Sequence, residues 1–163
     1  MSIITNYWPD PRFENIGNIA QINCGITGAS HDSNGNVFPR IVIKTTSSGD
    51  ARAELSVSVP TGLKIVVVCK SGNDGNTPNV SNAITVWTLT GSSNLTNLPA
   101  NGGVSSEFVV PAEGFKICFR APKAIGQSRW VGDIFVGTLD DYQALLKYVP
   151  SGFLAGDLMP RPN

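Results

Sequence analysis

Residues Ala53 to Val59 alternate without a break: Ala53, Leu55, Val57 and Val59 are apolar, while Glu54, Ser56 and Ser58 are polar. A β-strand turns successive side chains to opposite faces, so this run buries one face and wets the other. Such a strand needs neighbours in a sheet and a second layer over its apolar side. Pro60-Thr61-Gly62 follows, and then Leu63 to Cys69, which is apolar almost throughout and reads as a strand covered on both faces. The turn residues between the two runs predict a hairpin.

The same grammar continues along the chain. Ile19 to Thr27 and Val37 to Thr46 read as strands separated by a turn-rich stretch containing Asn34-Gly35. Ala83 to Thr90 reads as a strand carrying Trp87, with Gly91 to Gly103 as a loop that tucks Leu95 and Leu98 beneath it. Val104 to Val110 and Gly114 to Ala121 predict a second hairpin across Pro111-Ala112-Glu113. In its return strand Phe115, Ile117 and Phe119 face inward, and Lys116, Cys118 and Arg120 face outward. Arg129 to Thr138 is the last strand, with Trp130 expected inside.

One helix follows. Tyr142, Leu145, Leu146 and Val149 repeat at i, i+3, i+4 and i+7, Asp140 with Gln143 predicts the cap, and Pro150 and Gly152 the stop. About eight or nine strands with one helix and an extended tail predict an all-β jelly-roll sandwich over 1–138. Residues 139–163 are then an appendage of the same domain, and Leu154, Leu158 and Met159 are its candidates for subunit docking.

Composition removes several functions. Twelve basic residues balance twelve acidic ones and form no basic stripe, which argues against nucleic-acid binding. No apolar run reaches membrane-spanning length, so no membrane insertion is expected. Ser2 to Thr5 is too short and uncharged for a secretory leader, so synthesis in a cytoplasm is expected. Cys24, Cys69 and Cys118 form no CxxC pair and read as small buried side chains. His31, the one histidine, lies in a polar turn, and no nucleophile elbow, HExxH or phosphate loop is present. The chain therefore reads as a non-enzyme. Asp32 to Asn36 imitates the start of a calcium loop but lacks the glycine and glutamate of the EF-hand template.

The N-terminal residues Asn6-Tyr7-Trp8-Pro9-Asp10-Pro11-Arg12-Phe13-Glu14 concentrate aromatics and prolines, which suits a segment packed on a sheet rather than a frayed end. They resemble the N-x-x-P-D/N-P-x-F-E opening of carbohydrate-binding-module-like jelly rolls, the galactose-binding-like sandwiches. Ser106 to Gly114 resembles the strand–Pro-Ala-Gly–strand unit of those modules, and Trp130 to Val136 resembles their closing strand. The resemblance spans roughly Asn6 to Val136, and such modules occur in polysaccharide hydrolases and in bacteriophage tail and virion proteins. It implies a structural calcium held by Glu14 and Asp133, although Gly132 stands where the family often has a second aspartate. No other cofactor is expected.

Two functions follow as expectations. The first is a non-enzymatic structural or adhesion protein of a bacteriophage virion (tail, baseplate or head-attached), assembled with other virion subunits or as a homo-oligomer. The second is a module recognising host surface polysaccharide through Trp87, Tyr7 and Trp8, since indole and phenol faces stack on pyranose rings. A small glycan hydrolase ranks third.

Overall fold

The computed structural model describes residues 3–31, 37–73, 84–150, 152 and 158–160. Its strands are β1 (Ile3–Thr5), β2 (Ala20–Ile22), β3 (Cys24–His31), β4 (Val37–Thr45), β5 (Arg52–Val57), β6 (Lys64–Asn73) and β7 (Ile84–Thr88). They continue with β8 (Asn94–Leu98), β9 (Gly102–Val104), β10 (Phe108–Val109), β11 (Phe115–Arg120) and β12 (Ser128–Gly137). Helix α1 (Leu139–Tyr148) and strand β13 (Leu158–Pro160) complete the chain. One sheet has the order β2-β5-β11-β7-β8, and the other β10-β6-β12-β4-β3 with β9 also on β6. These ladders are antiparallel, and the two sheets enclose one core, as an all-β jelly-roll sandwich requires.

Both expected hairpins are corrected. β5 and β6 lie in different sheets, and so do β10 and β11. Each turn carries the chain over the edge of the sandwich. The two turns then bond to one another, Gly62 N–H to the Val110 carbonyl and Val110 N–H to the Leu63 carbonyl, each at 2.9 Å. The first predicted strand is likewise divided. Asn23 takes a left-handed φ of 53°, so β2 joins one sheet and β3 the other. The predicted loop at 91–103 contains β8 and the start of β9, and thirteen strands form among the described residues against the expected eight or nine. Leu98 is buried as anticipated.

The parity of β12 is also opposite to expectation. Val131 is buried in the core, and its neighbour Trp130 therefore points outward, half-buried, with the Arg40 guanidinium 5.3 Å over its ring. Arg129 takes the inward place and is 1% exposed. Its guanidinium donates to the carbonyls of Ala100 and Arg120, and its Nε has no partner. Burial lowers the pKa of this cation.

A second, smaller core explains why β6 is apolar on both faces. Val66 and Val68 of β6 meet Ile4, Phe135 and Leu145 beneath α1, while Ile65, Val67 and Cys69 face the main core. The helix begins two residues earlier than the Asp140 cap predicted: Thr138 is the N-cap, its hydroxyl accepting from Asp141 N–H at 3.1 Å. Its stripe of Tyr142, Leu145 and Val149 packs on the sheet, but Leu146 is exposed. The backbone of β13, which holds the docking candidates Leu158 and Met159, pairs with β1 of the same chain. Leu154 lies outside the described residues. Among the described residues, no helix is long and apolar enough to cross a membrane.

The N-terminal segment is a clasp. Asn6 is buried, and its Nδ2 donates to the Ile134 carbonyl at 3.1 Å while its Oδ1 accepts from Val136 N–H at 2.9 Å and Trp8 N–H at 3.1 Å. Tyr7 N–H adds a bond to the Val136 carbonyl at 2.7 Å. The Asp10 carboxylate accepts from the amides of Glu14 and Asn15, which folds the Pro-Asp-Pro turn and brings Phe13 back against Trp8.

Candidate functional site

The outer face of the five-stranded sheet carries a linked set of polar groups fixed by regular structure. On β7, Ile84 and Val86 go into the core, so Thr85 and Trp87 point out. On β11 the buried Phe115, Ile117 and Phe119 leave Lys116, Cys118 and Arg120 on the outer side, and on β5 the same parity gives Arg52, Glu54 and Ser56. Register then sets the neighbours. Trp87 stands opposite Lys116, Thr85 opposite Cys118, and Cys118 opposite Glu54.

These side chains form one continuous row. Lys116 Nζ meets Glu54 Oε2 at 2.8 Å, Glu54 Oε1 meets Arg52 Nε at 2.6 Å, and Arg52 Nη1 meets Asp50 Oδ2 at 2.7 Å. Arg120 closes the row on the other oxygen of Asp50. Trp87 flanks it, half-buried, its Nε1 donating to the Thr85 hydroxyl at 2.9 Å. That bond fixes the indole plane and satisfies its one polar atom. On the other side a cavity of about 390 Å³ is walled by Pro9 of the clasp, Asn18, Ala20, Glu54, Ser56 and Lys116. Sequence reasoning singled out Trp87 but missed the charged row, which joins residues up to 70 positions apart in the chain.

Burial pushes the Glu54 carboxyl up, but hydrogen bonds from Arg52 and Lys116, with their charges, outweigh it and hold it below the ordinary value. The unfolded chain takes up its proton near the ordinary value of 4.5, so the stabilisation is complete above that pH and is lost as pH falls through the lower folded value. Between pH 7 and pH 3 the native protein should therefore lose more stability than Glu54→Gln. Urea midpoints across that range test it, and parallel curves would remove Glu54 from the acid response.

The other predicted residues are placed as follows. Trp8 is 1% exposed and offers no face to a ligand, which corrects its reading as a glycan platform. Tyr7 is partly buried against the main core. Glu14, its side chain 74% exposed, lies 4.0 Å from Arg12, while Asp133 is held by Lys70 Nζ at 2.7 Å. The two carboxylates line different depressions, one beside the clasp and one beside Tyr142. Among the described residues no three acidic, histidine or cysteine side chains are grouped to hold a metal, and Glu14 and Asp133 are not brought to one depression. The three cysteines are buried and free, and burial pushes the Cys69 thiol up to about 12.

The architecture is a jelly-roll fold of the carbohydrate-binding-module-like kind. It is similar to the enzymatically active domain of tailspike protein 4 of bacteriophage CBA120, with a TM-score of 0.50 and 14% identity over 82% of this chain and 21% of that one. It is also similar to the CBM22-1–GH10 modules of endo-1,4-beta-D-xylanase 10B of Clostridium thermocellum, solved with xylohexaose, with a TM-score of 0.50 and 9% identity over 83% of this chain and 28% of that one. At these identities the likeness is one of fold, and the chain spans under a third of either protein. No protein-family model matches the sequence, and no curated protein matches it.

Proposed function

We propose that the protein is a non-enzymatic adhesion module that holds a glycan on the outer face of its five-stranded sheet, and that it serves in a bacteriophage virion. The observation that carries the glycan part is Trp87, an indole held outward by Thr85 beside a row of ordered donors and acceptors. A sugar ring stacks on such a face, and its hydroxyls bond to the charged groups beside it. The non-enzymatic part rests on the same row. Glycoside hydrolysis asks one carboxyl group to carry a proton. Here Glu54 is bonded to Arg52 and Lys116, and Asp50 to Arg52 and Arg120. The virion part takes its support from the tailspike likeness.

Titration with host cell-wall polysaccharide tests the reading. Trp87→Ala should weaken binding at least tenfold, the loss of about 1.4 kcal/mol or more. Its thermal midpoint should stay close to that of the native protein, because the ring is outside the core. A glycan array with no bound sugar would sink the glycan part. Failure of the protein to migrate with purified particles would sink the virion part.

A further inference from the structure

We propose a second saccharide site, separate from the Trp87 face, where the irregular turn of β12 meets α1 on the other sheet. A pocket of about 250 Å³ opens there, lined by Lys70, Asn101, Gly102, Gly103, Asp133 and Tyr142. Four segments that are distant in the chain converge on it, and each contributes a different chemistry. Lys70 brings an ammonium, Asp133 a carboxylate, Tyr142 a phenol on an aromatic ring, and Gly102-Gly103 bare backbone.

The geometry of the lining is unusual. The pairing of β12 with β6 shifts register between Gly132 and Phe135, and within that interval Asp133 adopts a left-handed φ of 49°. Aspartate and asparagine enter that conformation more readily than other side chains, and left-handed positions gather at binding sites. Gly102 has φ 87°, and a Cβ on it would lie 2.3 Å from the Cys69 carbonyl oxygen. The glycine is therefore required by the close approach of β9 to β6, and Gly102 and Gly103 bring no side chain to the lining. The Tyr142 ring is set by Phe135, their centroids 5.4 Å apart, and it lines the pocket together with Lys70.

The ligand class follows from the charge balance. Lys70 and Asp133 are paired at 2.7 Å and are the charged side chains among the described residues of the lining, so a charged ligand would meet one opposing partner there for every favourable one. A neutral polyol suits it better, because each hydroxyl both donates and accepts and can insert between ammonium, carboxylate and phenol. The volume lies below the roughly 300–1,000 Å³ of pockets for drug-sized ligands. It fits one sugar unit, a chain end or a branch, rather than a run of several.

The test uses the whole chain and the methyl glycosides of galactose, glucose and glucuronic acid, followed by amide nuclear magnetic resonance. A neutral glycoside should shift the amides of Gly102, Gly103 and Asp133 saturably. Asp133→Asn, which keeps the left-handed backbone accessible, should weaken that binding at least tenfold, and Trp87→Ala should leave it unchanged. Tyr142→Phe, expected to weaken it several-fold, serves if the asparagine variant does not fold. The proposal is overturned by no saturable shift at those amides, by binding of the glucuronide alone, or by loss in Trp87→Ala rather than in Asp133→Asn. Because the Trp87 face is read separately by the polysaccharide titration, either site can fail without the other.

Discussion

Truncating Trp8 to alanine is expected to cost about 3–5 kcal/mol of folding stability. The indole is 1% exposed and packs edge-on to Phe13 and Phe119, with centroids 5.9 and 6.1 Å away. Its Nε1 donates to the Asp10 carbonyl at 2.9 Å, so truncation opens a cavity and also strips the turn of a bond. Domains of this kind are stable by only about 5–15 kcal/mol, so the variant should be marginal at body temperature. Urea denaturation would measure the shift in midpoint, and Trp8→Phe should recover part of it. A loss below about 1 kcal/mol would mean that the clasp is not part of the cooperative unit. Glycan binding, measured well below the melting point, should survive.

Asn6→Ala is expected to cost about 3 kcal/mol or more, although it removes far less volume. Its amide satisfies three buried backbone groups: the Ile134 carbonyl and the N–H groups of Val136 and Trp8. Each such group left without a partner costs about 1–3 kcal/mol, which local relaxation only partly recovers. Asn6→Asp should be no better at neutral pH, since a carboxylate would set oxygen against the Ile134 carbonyl and bury a charge. Hydrogen exchange at Val136 and Trp8 gives the local readout. Unchanged protection there, with unchanged stability, would show that water replaces the side chain.

These two residues also show what could be read in the sequence. The clasp was legible because aromatics and prolines at such density mark a packed segment. Its linchpin was not, since a lone Asn6 has no pattern to betray the three backbone groups it meets. The inward phase of β11 was legible because Phe115, Ile117 and Phe119 alternate with polar neighbours. On β12 the sequence Arg129-Trp130-Val131 offered a cation and an aromatic for one inward place, and the cation, not the expected aromatic, occupies it. Pro60-Thr61-Gly62 and Pro111-Ala112-Glu113 announced turns, but a turn fits a hairpin and a crossing between sheets equally well. Which one forms is decided by partners far away, Val57 with Phe115 and Phe108 with Ile65. The strand β8 was hidden because Asn94-Leu95-Thr96-Asn97 has weak strand propensity and is held by pairing with β7. Of the candidate site, Trp87 was legible from parity alone. The charged row depends on register between strands, which one strand cannot disclose.

The clasp has a consequence for the order of events during synthesis. Asn6 bonds to residues 128 and 130 positions further along. The first part of this domain to leave the ribosome must therefore wait, with Trp8 and Phe13 uncovered, until β12 has emerged. Closure of long loops of this kind slows folding, and exposed aromatics in the interval invite association with other chains. The segment that seals the finished sandwich is thus also the one most in need of shelter while the sandwich is being made.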